Sequence, residues 1–397
     1  MPMSAPVPPR SVALPPPAGG RPDVLVVAGE HSGDEHAARM VRGLRAARPE
    51  LRVCALGGPL LAAAGAQLLH DLTASSVVGL VEVLRHYGYF RALFRETVAW
   101  VERHRPRAVC FVDYPGFNLR LAAALHARGL TTQGGGPIRA LYYISPQVWA
   151  WKAGRRFTMA RHLDALAVIF PFEVRTYADT ALPVEFVGHP FAAPDYAAPV
   201  RYDADGPVLL LPGSRRQAVT RIFPALLAGY AEFARSHPGR AAVALHPSAE
   251  IRAVLAAIRD RIPLPAAGRV ELAPTGTPVG AAAVLTSSGT MSMHCALAGI
   301  PGAIAYRANP VTYLLGRWLV QVPYLGIANL LLGEPMNPEF LQGAARPDRL
   351  ARELAACLDD PARRARCADQ ARRLQVVLHQ PATGTAADWL ARHLGPG

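Results

Sequence analysis

The sequence predicts an α/β protein with two doubly wound, mainly parallel sheets. Short apolar runs alternate with helical patterns along the chain, which is the order typical of repeated strand–helix–strand units. One arrangement occurs twice, because the apolar strand Asp23–Ala28 runs into the loop Gly29–Asp34 and the strand Val208–Leu211 runs into Pro212–Arg216, each ahead of a helix. These two starts predict two doubly wound domains facing a central cleft, with ligands held at the carboxyl ends of the strands.

The remaining elements follow from the same patterns. Apolar runs predict further strands at Val53–Leu56, Ala108–Val112, Arg139–Ile144, Leu166–Ile169, Glu185–Val187, Ala242–Leu245, Val270–Leu272, Ala282–Leu285 and Ala303–Tyr306. Helical periodicity predicts helices that include Glu35–Ala47, Asn118–Ala127, Arg221–Arg235, Ser292–Leu297 and Ala386–Leu394. The stretch Phe191–Gly206 is predicted to be a linker, because it holds prolines and Asp-containing turns without clear periodicity.

Chain length sets the domain organisation. With 397 residues the chain is too long for one core and suits two domains. We expect a flexible tail rich in Pro and Ala at 1–20, a first domain at 21–195, a second at 196–375 and a terminal segment at 376–397. The helix in that last segment is expected to pack on the first domain or on a partner subunit.

The chain is strongly basic, with a net charge of +13. Lys152 is the only lysine, so 41 of the 42 basic residues are arginines, and they are scattered along the sequence. No basic stripe with interleaved aromatic residues occurs, which disfavours a nucleic-acid partner. An anionic membrane surface or a phosphorylated substrate accounts for the charge at least as well.

Two further features concern the cellular setting. The cysteines Cys54, Cys110, Cys295, Cys357 and Cys367 form no Cys-x-x-Cys pair, so reduced and buried thiols of a cytosolic protein are expected. No segment offers about 18 uninterrupted apolar positions, so a membrane-spanning helix is not expected.

Two loops of the second half have the composition of an anion site. In Pro212-Gly213-Ser214-Arg215, the glycine allows backbone amides to approach an anion, and the arginine can hold two phosphate oxygens. Ser287-Ser288-Gly289-Thr290 follows another strand in the same way. Either loop alone is more often a helix cap, but their joint occurrence favours a diphosphate site.

Two common nucleotide-binding motifs are excluded. No Gly-Lys-Ser/Thr sequence occurs, which rules out the usual ATP-hydrolysing loop. The first loop reads Gly-Glu-His-Ser-Gly-Asp rather than Gly-x-Gly-x-x-Gly, which disfavours a nicotinamide dehydrogenase.

Carboxylates in the first half are candidates for acid–base chemistry. Asp113 follows the strand Ala108–Val112, where partial desolvation would make it a usable base, although capping of the next turn is the commoner role for that position. A cluster of acidic and histidine side chains could hold a metal, but its spacing matches no standard motif, and helix capping by Ser32 or Asp34 is more ordinary; the cluster is Glu30, His31, Asp34, Glu35 and His36.

Two aromatic regions are ambiguous from spacing alone. Trp149 and Trp151 could pack in the core or wall a sugar or acyl pocket. The apolar run Val77–Leu84, continued by Arg85–Arg91, suits an interfacial helix at lipid headgroups and an ordinary buried helix equally well.

Several motifs occur together in one order along the chain. They are Gly29-Glu30-His31-Ser32-Gly33-Asp34, Gly79-Leu80-Val81-Glu82-Val83-Leu84, Ser145-Pro146-Gln147-Val148-Trp149-Ala150-Trp151, Phe170-Pro171-Phe172-Glu173, Val187-Gly188-His189-Pro190, Leu211-Pro212-Gly213-Ser214-Arg215 and Ser288-Gly289-Thr290. From about Asp23 to Gln342, the chain resembles the lipid-A-disaccharide synthase family.

The resemblance implies a GT-B type fold of two Rossmann-like domains and an inverting glycosyltransferase. The family condenses UDP-2,3-diacylglucosamine with 2,3-diacylglucosamine 1-phosphate to give a β(1→6) disaccharide 1-phosphate and UDP. Members need neither metal nor cofactor and act at the cytoplasmic face of the inner membrane. A homodimer and peripheral membrane contact through Val77–Phe90 are further expectations.

The resemblance also assigns site residues. Asp113 is the expected base and Arg215 is expected to stabilise the leaving UDP, with Glu30 and Asp34 as further catalytic candidates. The expected substrate-binding residues are Gly213, Ser214, Ser288, Gly289, Thr290, His294, Ser32, Gly33, Asn118, Trp149 and Asn329.

Two positions depart from the family pattern. Gly116 stands where a second aspartate is common, and His294 stands where a glutamate normally could hold the nucleotide ribose. These departures keep two alternatives open. One is another GT-B enzyme that uses UDP-N-acetylglucosamine, and the other is a non-catalytic paralogue that binds lipid or nucleotide.

Overall fold

The computed structural model describes residues 12–75, 80–266, 268–309 and 322–395. Of the predicted interfacial segment, Val77–Gly79 lie outside the described residues, and 80–87 are described only as helical backbone. The chain divides into two compact units, one formed by residues 1–190 with 380–397 and the other by residues 191–379.

Among the described residues of unit 1, a parallel sheet of seven strands has the order β3-β2-β1-β4-β5-β6-β7. The strands are β1 Val24–Ala28, β2 Val53–Gly57, β3 Gln67–Asp71, β4 Ala108–Val112, β5 Arg139–Tyr143, β6 Ala165–Val168 and β7 Val184–Phe186. The helices are α1 His31–Ala47, α2 Pro59–Ala63, α3 Leu80–His104, α4 Pro115–Ala127, α5 Arg155–His162 and α6 Glu173–Thr176.

In the part of unit 2 that the structure describes, a parallel sheet of six strands has the order β11-β10-β9-β13-β14-β15, and β12 and β8 form a separate pair. The strands are β8 Val200–Tyr202, β9 Val208–Leu211, β10 Ala242–His246, β11 Val270–Pro274, β12 Val279–Ala281, β13 Ala283–Thr286, β14 Gly302–Tyr306 and β15 Glu339–Leu341. The helices are α7 Arg216–Ser236, α8 Ala249–Arg259, α9 Thr290–Leu297, α10 Ile327–Leu332, α11 Pro347–Asp359 and α12 Pro361–Leu378.

The final helix, α13 Ala386–Leu394, belongs to unit 1 and packs against α1. Thr385 and Asp388 form a capping box that satisfies backbone donors at its first turn. Trp389 and Leu390 are fully buried, which anchors the helix. Of the two packing arrangements expected for this helix, the structure has the contact with the first unit.

Burial explains why the central strands were readable from sequence. Every residue of β1 and β4 is buried, because parallel sheets are covered by helices on both faces and their strands are therefore apolar throughout. All five cysteines are buried free thiols, as expected. The doubly wound α/β fold predicted from these runs is confirmed.

The start of the chain differs from its prediction as a flexible tail. Leu14 is buried in the core cluster of unit 1. The Trp100 indole Nε1 donates to the Pro15 carbonyl at 2.9 Å, and Gln67 bonds both the Pro16 carbonyl and the Ala18 amide. Residues 12–20 are therefore part of the fold, and the segment predicted as a linker also contains strand β8.

Candidate functional site

Each sheet has one point where the strand order reverses, and the predicted site loops lie there. In unit 1 this point is between β1 and β4, and in unit 2 it is between β9 and β13. Doubly wound sheets bind ligands at the carboxyl ends of strands at such switch points. The topology therefore gives each unit one favoured ligand-binding edge.

In unit 1 the switch point is formed by Gly29–Glu30 after β1 and Asp113–Tyr114 after β4, which we call the acidic loop pair. The two loops touch, because the Tyr114 ring lies where a side chain on Gly29 would be. Burial raises the pKa of the Tyr114 phenol, and the negative charge of Glu30 raises it further. Glu30 is half-buried at the start of α1, and its side chain makes no helix-cap bond.

The backbone of Asp113 and Tyr114 is in the left-handed region, with φ of 47° and 48°. Such conformations cost roughly 1–3 kcal/mol each for residues other than glycine, and they persist only where the surroundings hold them. Here the Asp113 carbonyl accepts from the Tyr142 hydroxyl at 2.6 Å and from Asn118 Nδ2 at 2.8 Å. This held conformation fixes the position of the Asp113 carboxylate, which is half-buried.

The structure corrects the predicted catalytic role of Asp34. Its side chain is 1% exposed and accepts from the backbone amides of Gly58, Leu60 and Leu61 at 2.8, 3.0 and 3.2 Å. These amides begin α2, so the carboxylate caps that helix from a distant part of the chain. Asp34 therefore has a structural task.

The predicted role of Asn118 as a substrate ligand is corrected in the same way, since Asn118 is a positioning residue. Its side chain is fully buried, and besides Asp113 its amide donates to the Val27 and Val112 carbonyls at 3.2 and 3.3 Å. It ties β1 and β4 together beneath the acidic loop pair. Of the other predicted ligands in this unit, Ser32 is half-buried in the first turn of α1, and Gly33 is buried against the Val112 carbonyl.

Trp149 lies in the loop after β5 and is held by a buried carboxylate. Its indole Nε1 donates to Glu173 at 3.2 Å, and its ring packs edge-on to Phe172. Glu173 is 2% exposed and also accepts from the Phe170 amide at 3.1 Å. Burial raises the pKa of Glu173 to about 7, because the charged form loses its hydration.

In unit 2 the switch point is formed by Pro212–Arg215 and Ser287–Thr290, which we call the glycine–serine loop pair. Gly213 has φ of 104°, which favours glycine, and a side chain there would approach the Ser287 hydroxyl to 3.3 Å. Ser287 is buried and joins the loops, since its amide donates to the Leu211 carbonyl at 2.8 Å.

Two helices begin at the glycine–serine loop pair, α7 after Arg215 and α9 after Gly289. Neither of these N-cap residues makes a side-chain cap bond. The first amides of a helix carry partial positive charge and favour an anion. Arg215, Ser214 and Thr290 are exposed beside them, and Ser288 is half-buried.

His294 lies within α9 and packs inside unit 2. Its ring stacks on Tyr196 and packs at a tilt against Phe191, and its Nδ1 is hydrogen-bonded to the Tyr196 hydroxyl. Burial lowers the pKa of His294 to about 4, so the ring is neutral at neutral pH.

The structure also corrects the predicted role of Asn329 as a substrate ligand, since Asn329 is a structural residue. It is fully buried on α10, and its amide donates to the Asn337 carbonyl at 2.7 Å and to Glu339 at 2.9 Å, while its Oδ1 accepts from the Asn337 amide. These bonds fix α10 to the start of β15.

Two kinds of feature are absent from the described residues. Within those ranges, no group of three or more His, Cys, Asp or Glu side chains is arranged to hold a metal ion. In the same part of the chain, no helix has the length and apolar character needed to cross a membrane.

Comparisons with known proteins identify the family. The family model described as lipid-A-disaccharide synthetase matches residues 24–391. The lipid-A-disaccharide synthase of Geobacter sulfurreducens is 36% identical over 358 residues, covering 85% of this chain and 88% of its own. That of Alkalilimnicola ehrlichii is 36% identical over 381 residues, covering 92% and 96%. The chain belongs to the lipid-A-disaccharide synthase family. It is accordingly a glycosyltransferase of lipid A biosynthesis, as the sequence motifs indicated.

Solved structures support the fold alone. A glycosyltransferase of kitacinnamycin covers 94% of this chain and 100% of its own, with 17% identity and a TM-score of 0.57. A putative UDP-N-acetylglucosamine 2-epimerase from Listeria monocytogenes covers 94% and 95%, with 10% identity and a TM-score of 0.58. The calicheamicin glycosyltransferase CalG4 covers 95% and 99%, with 16% identity and a TM-score of 0.55. The fold is of the GT-B type.

Sequence reasoning missed several residues that shape these sites. Tyr114 and Tyr142 support the acidic loop pair, and Glu173 holds Trp149. Glu173 was visible as part of a motif, but its burial and its partner were not. The contacts of the tyrosines join different strands, and no local pattern reports them.

Proposed function

We propose that the chain condenses UDP-2,3-diacylglucosamine with 2,3-diacylglucosamine 1-phosphate, with inversion, to give the β(1→6) disaccharide 1-phosphate and UDP. The observation that carries this proposal is the held, left-handed Asp113 at the switch point of unit 1. Family membership supports the reaction class, and the contrast between the two loop pairs supports the division of labour.

In this proposal the glycine–serine loop pair binds the diphosphate of the donor. The first amides of α7 and α9 and the hydroxyls of Ser214, Ser288 and Thr290 donate to the phosphate oxygens. Arg215 neutralises the charge that grows on the departing UDP. Arginine and helix amides supply this stabilisation, so the proposal assigns no metal ion to the reaction.

Asp113 serves as the general base. Its carboxylate accepts the proton of the acceptor 6-hydroxyl as that oxygen bonds to the anomeric carbon of the donor. The bond from the anomeric carbon to the diphosphate oxygen breaks, and its electron pair leaves with UDP. Glu30, half-buried at the same loop pair, is the alternative base, whereas Asp34 is withdrawn because it caps α2.

The two departures from the family pattern bear on this assignment. Gly116 is exposed in the first turn of α4, with open space where a side chain would be, so that position supplies no second carboxylate and Asp113 carries more of the task. His294 contributes to ribose binding as a neutral hydrogen-bonding group, since its low pKa keeps it uncharged.

We further propose peripheral attachment to the cytoplasmic face of the inner membrane through Val77–Phe90, and a homodimer. Sedimentation with anionic vesicles tests the attachment when Arg85→Glu and Arg91→Glu are compared with the unsubstituted protein. Weaker sedimentation of the variants is expected, and unchanged sedimentation would contradict the membrane segment. Sedimentation equilibrium tests the dimer, which a monomer mass would exclude.

Mass spectrometry of the products tests the reaction. The protein is incubated with a panel of UDP-diacylglucosamines and 2,3-diacylglucosamine 1-phosphate, and the expected product has the mass of the disaccharide 1-phosphate. Turnover of UDP-N-acetylglucosamine without acylated product would favour a different GT-B enzyme. UDP binding without any product would favour a non-catalytic paralogue.

A further inference from the structure

A partly exposed cluster of one aromatic and two cationic side chains follows β5 in unit 1. Trp151 is 37% exposed, and Lys152 Nζ lies 4.8 Å from the centre of its ring. The Arg155 guanidinium carbon lies 5.2 Å from the same ring. We call Trp151, Lys152 and Arg155 the Trp151 platform. Both cations lie within cation–π distance of one indole ring, an attractive arrangement that gathers two positive charges at the same side chain.

The backbone of the platform is held in an unusual conformation. Lys152, the only lysine of the chain, has φ of 55°, in the left-handed region. The Arg155 amide donates to the Lys152 carbonyl at 2.8 Å, so the turn between the two cations is closed. A strained turn that brings the exposed Lys152 and the half-buried Arg155 together is the kind of feature that marks ligand-binding sites.

The charges of the platform are not used in ion pairs within the described residues, where neither Lys152 nor Arg155 pairs with a carboxylate. The neighbouring Arg156 differs, because its guanidinium bonds the Asp179 carboxylate with Nε at 2.8 Å from Oδ1. Of these three cations, Arg156 is therefore neutralised by a carboxylate of the protein. The other two remain available to an anion from solution.

The platform lies at the same edge of the sheet as Asp113. β5 neighbours β4, and both the acidic loop pair and the platform follow the carboxyl ends of these strands. Tyr142 connects them electrostatically. Burial and the negative charge of Asp113 raise the pKa of this phenol, while the positive charge of Arg155 acts against them. Both side chains are thus within electrostatic reach of one hydroxyl.

We propose that Lys152 and Arg155, held over Trp151, bind the phosphate of the acceptor lipid at the edge that carries Asp113. The assignment rests on the proposed function, in which the acceptor is a phosphorylated, acylated sugar. A phosphate matches the paired cations, and the exposed indole face offers apolar area to the sugar ring. The platform would then select acceptors that carry the phosphate and hold them near the base.

Kinetics with two acceptors test the assignment. The 2,3-diacylglucosamine acceptor is supplied with and without its 1-phosphate, in detergent micelles, to the unsubstituted enzyme and to Lys152→Gln, Arg155→Gln and the double variant. We expect each substitution to raise the KM for the phosphorylated acceptor about tenfold, because each removes a charge-assisted hydrogen bond. The preference for the phosphorylated acceptor should collapse in the double variant, and the donor KM should stay unchanged.

Arg161→Gln is the matched control. Arg161 is exposed on the same helix α5, so its substitution removes an equal charge outside the platform. The control should keep the phosphate preference, and thermal melting should show that all variants are folded. A double variant that retains the preference of the unsubstituted enzyme would overturn the assignment.

Two further outcomes separate the sources of the anion. Vesicles of phosphatidylglycerol and of phosphatidylcholine are sedimented with the same variants. Loss of binding to phosphatidylglycerol with an intact acceptor preference would assign the cations to the bilayer and overturn the proposal. If the unsubstituted enzyme transfers no sugar, the proposed function is overturned, and the assignment of the Trp151 platform falls with it. If transfer occurs and the double variant keeps the preference for the phosphorylated acceptor, only the assignment of the platform is overturned.

Discussion

The acidic loop pair of unit 1 and the glycine–serine loop pair of unit 2 occupy equivalent positions in two doubly wound sheets, yet their backbones are built differently. In unit 1 the turn after β4 uses two non-glycine residues with positive φ, held by Tyr142 and Asn118. In unit 2 the turn after β9 uses Gly213 at φ of 104°. A held turn fixes one side chain, whereas a glycine turn brings backbone amides to a ligand. The loops at the switch point thus fix a carboxylate in one unit, and in the other they present backbone amides, which the proposed function assigns to an anion.

The largest effect is expected when the acidic loop pair loses the carboxylate of Asp113. Asp113→Asn should lower kcat by about 10² to 10⁴-fold, because the amide cannot accept the proton of the attacking hydroxyl. UDP affinity, measured by calorimetry, should stay unchanged since the glycine–serine loop pair is intact.

Glu30→Gln is the matched comparison for Asp113→Asn. If Glu30 is only a neighbour of Tyr114, its substitution should have a much smaller effect on kcat. A larger loss in Glu30→Gln than in Asp113→Asn would transfer the base assignment to Glu30.

The next prediction concerns Glu173, the buried carboxylate of unit 1. Its pKa is about 7 in the folded protein against an ordinary value of 4.5, so the native state holds the proton over this range while the unfolded state has lost it. The contribution of Glu173 to the free energy of unfolding is therefore fully present below pH 4.5. It declines as the pH rises towards 7, by about 3 kcal/mol at most. Urea unfolding of Glu173→Gln should lack this decline, and an unchanged pH slope would contradict it.

Arg215→Gln tests the proposed diphosphate site at the glycine–serine loop pair. Loss of a charge-assisted contact with the diphosphate should weaken UDP binding roughly 10- to 100-fold, with the acceptor KM unaffected. Arg216→Gln is the control, because Arg216 is exposed and pairs with Glu250 at 3.2 Å. Equal losses in both variants would indicate a general charge effect and remove the specific role of Arg215.

The smallest effect is expected at His294. A neutral hydrogen bond to the ribose predicts that His294→Ala weakens UDP binding roughly two- to tenfold. Tyr196→Phe keeps the imidazole but removes the hydroxyl that bonds Nδ1, so it separates the contact from the positioning of the ring. Unchanged UDP affinity in His294→Ala would leave this residue with packing alone.

The parts of the fold that sequence patterns predicted are those buried on both sides. Strands such as β1, β4 and β9 are wholly apolar and were located within a residue or two. The strands that were missed are short or partly exposed and lack such a run; they are β3, β8, β12 and β15.

For the site, residue type and position after a strand made Asp113, Arg215 and the glycine–serine loop pair candidates, and the family resemblance gave them roles that stay predictions. They could not separate these from Asp34, Asn118 and Asn329, which are equally polar but lie buried in hydrogen bonds to the protein itself. That difference depends on distant segments, such as the start of α2 that Asp34 caps. Contacts between distant segments decide it, and local sequence does not contain them.

The packing of the proline-rich start has a practical consequence for shortened versions of the protein. A truncation chosen from composition would begin at about residue 21 and would delete Leu14 from the core of unit 1. It would also take away the carbonyl that the Trp100 indole bonds, leaving a polar group buried beside an apolar gap. An affinity tag or a cleavage site is better placed ahead of Val12, where these contacts are preserved.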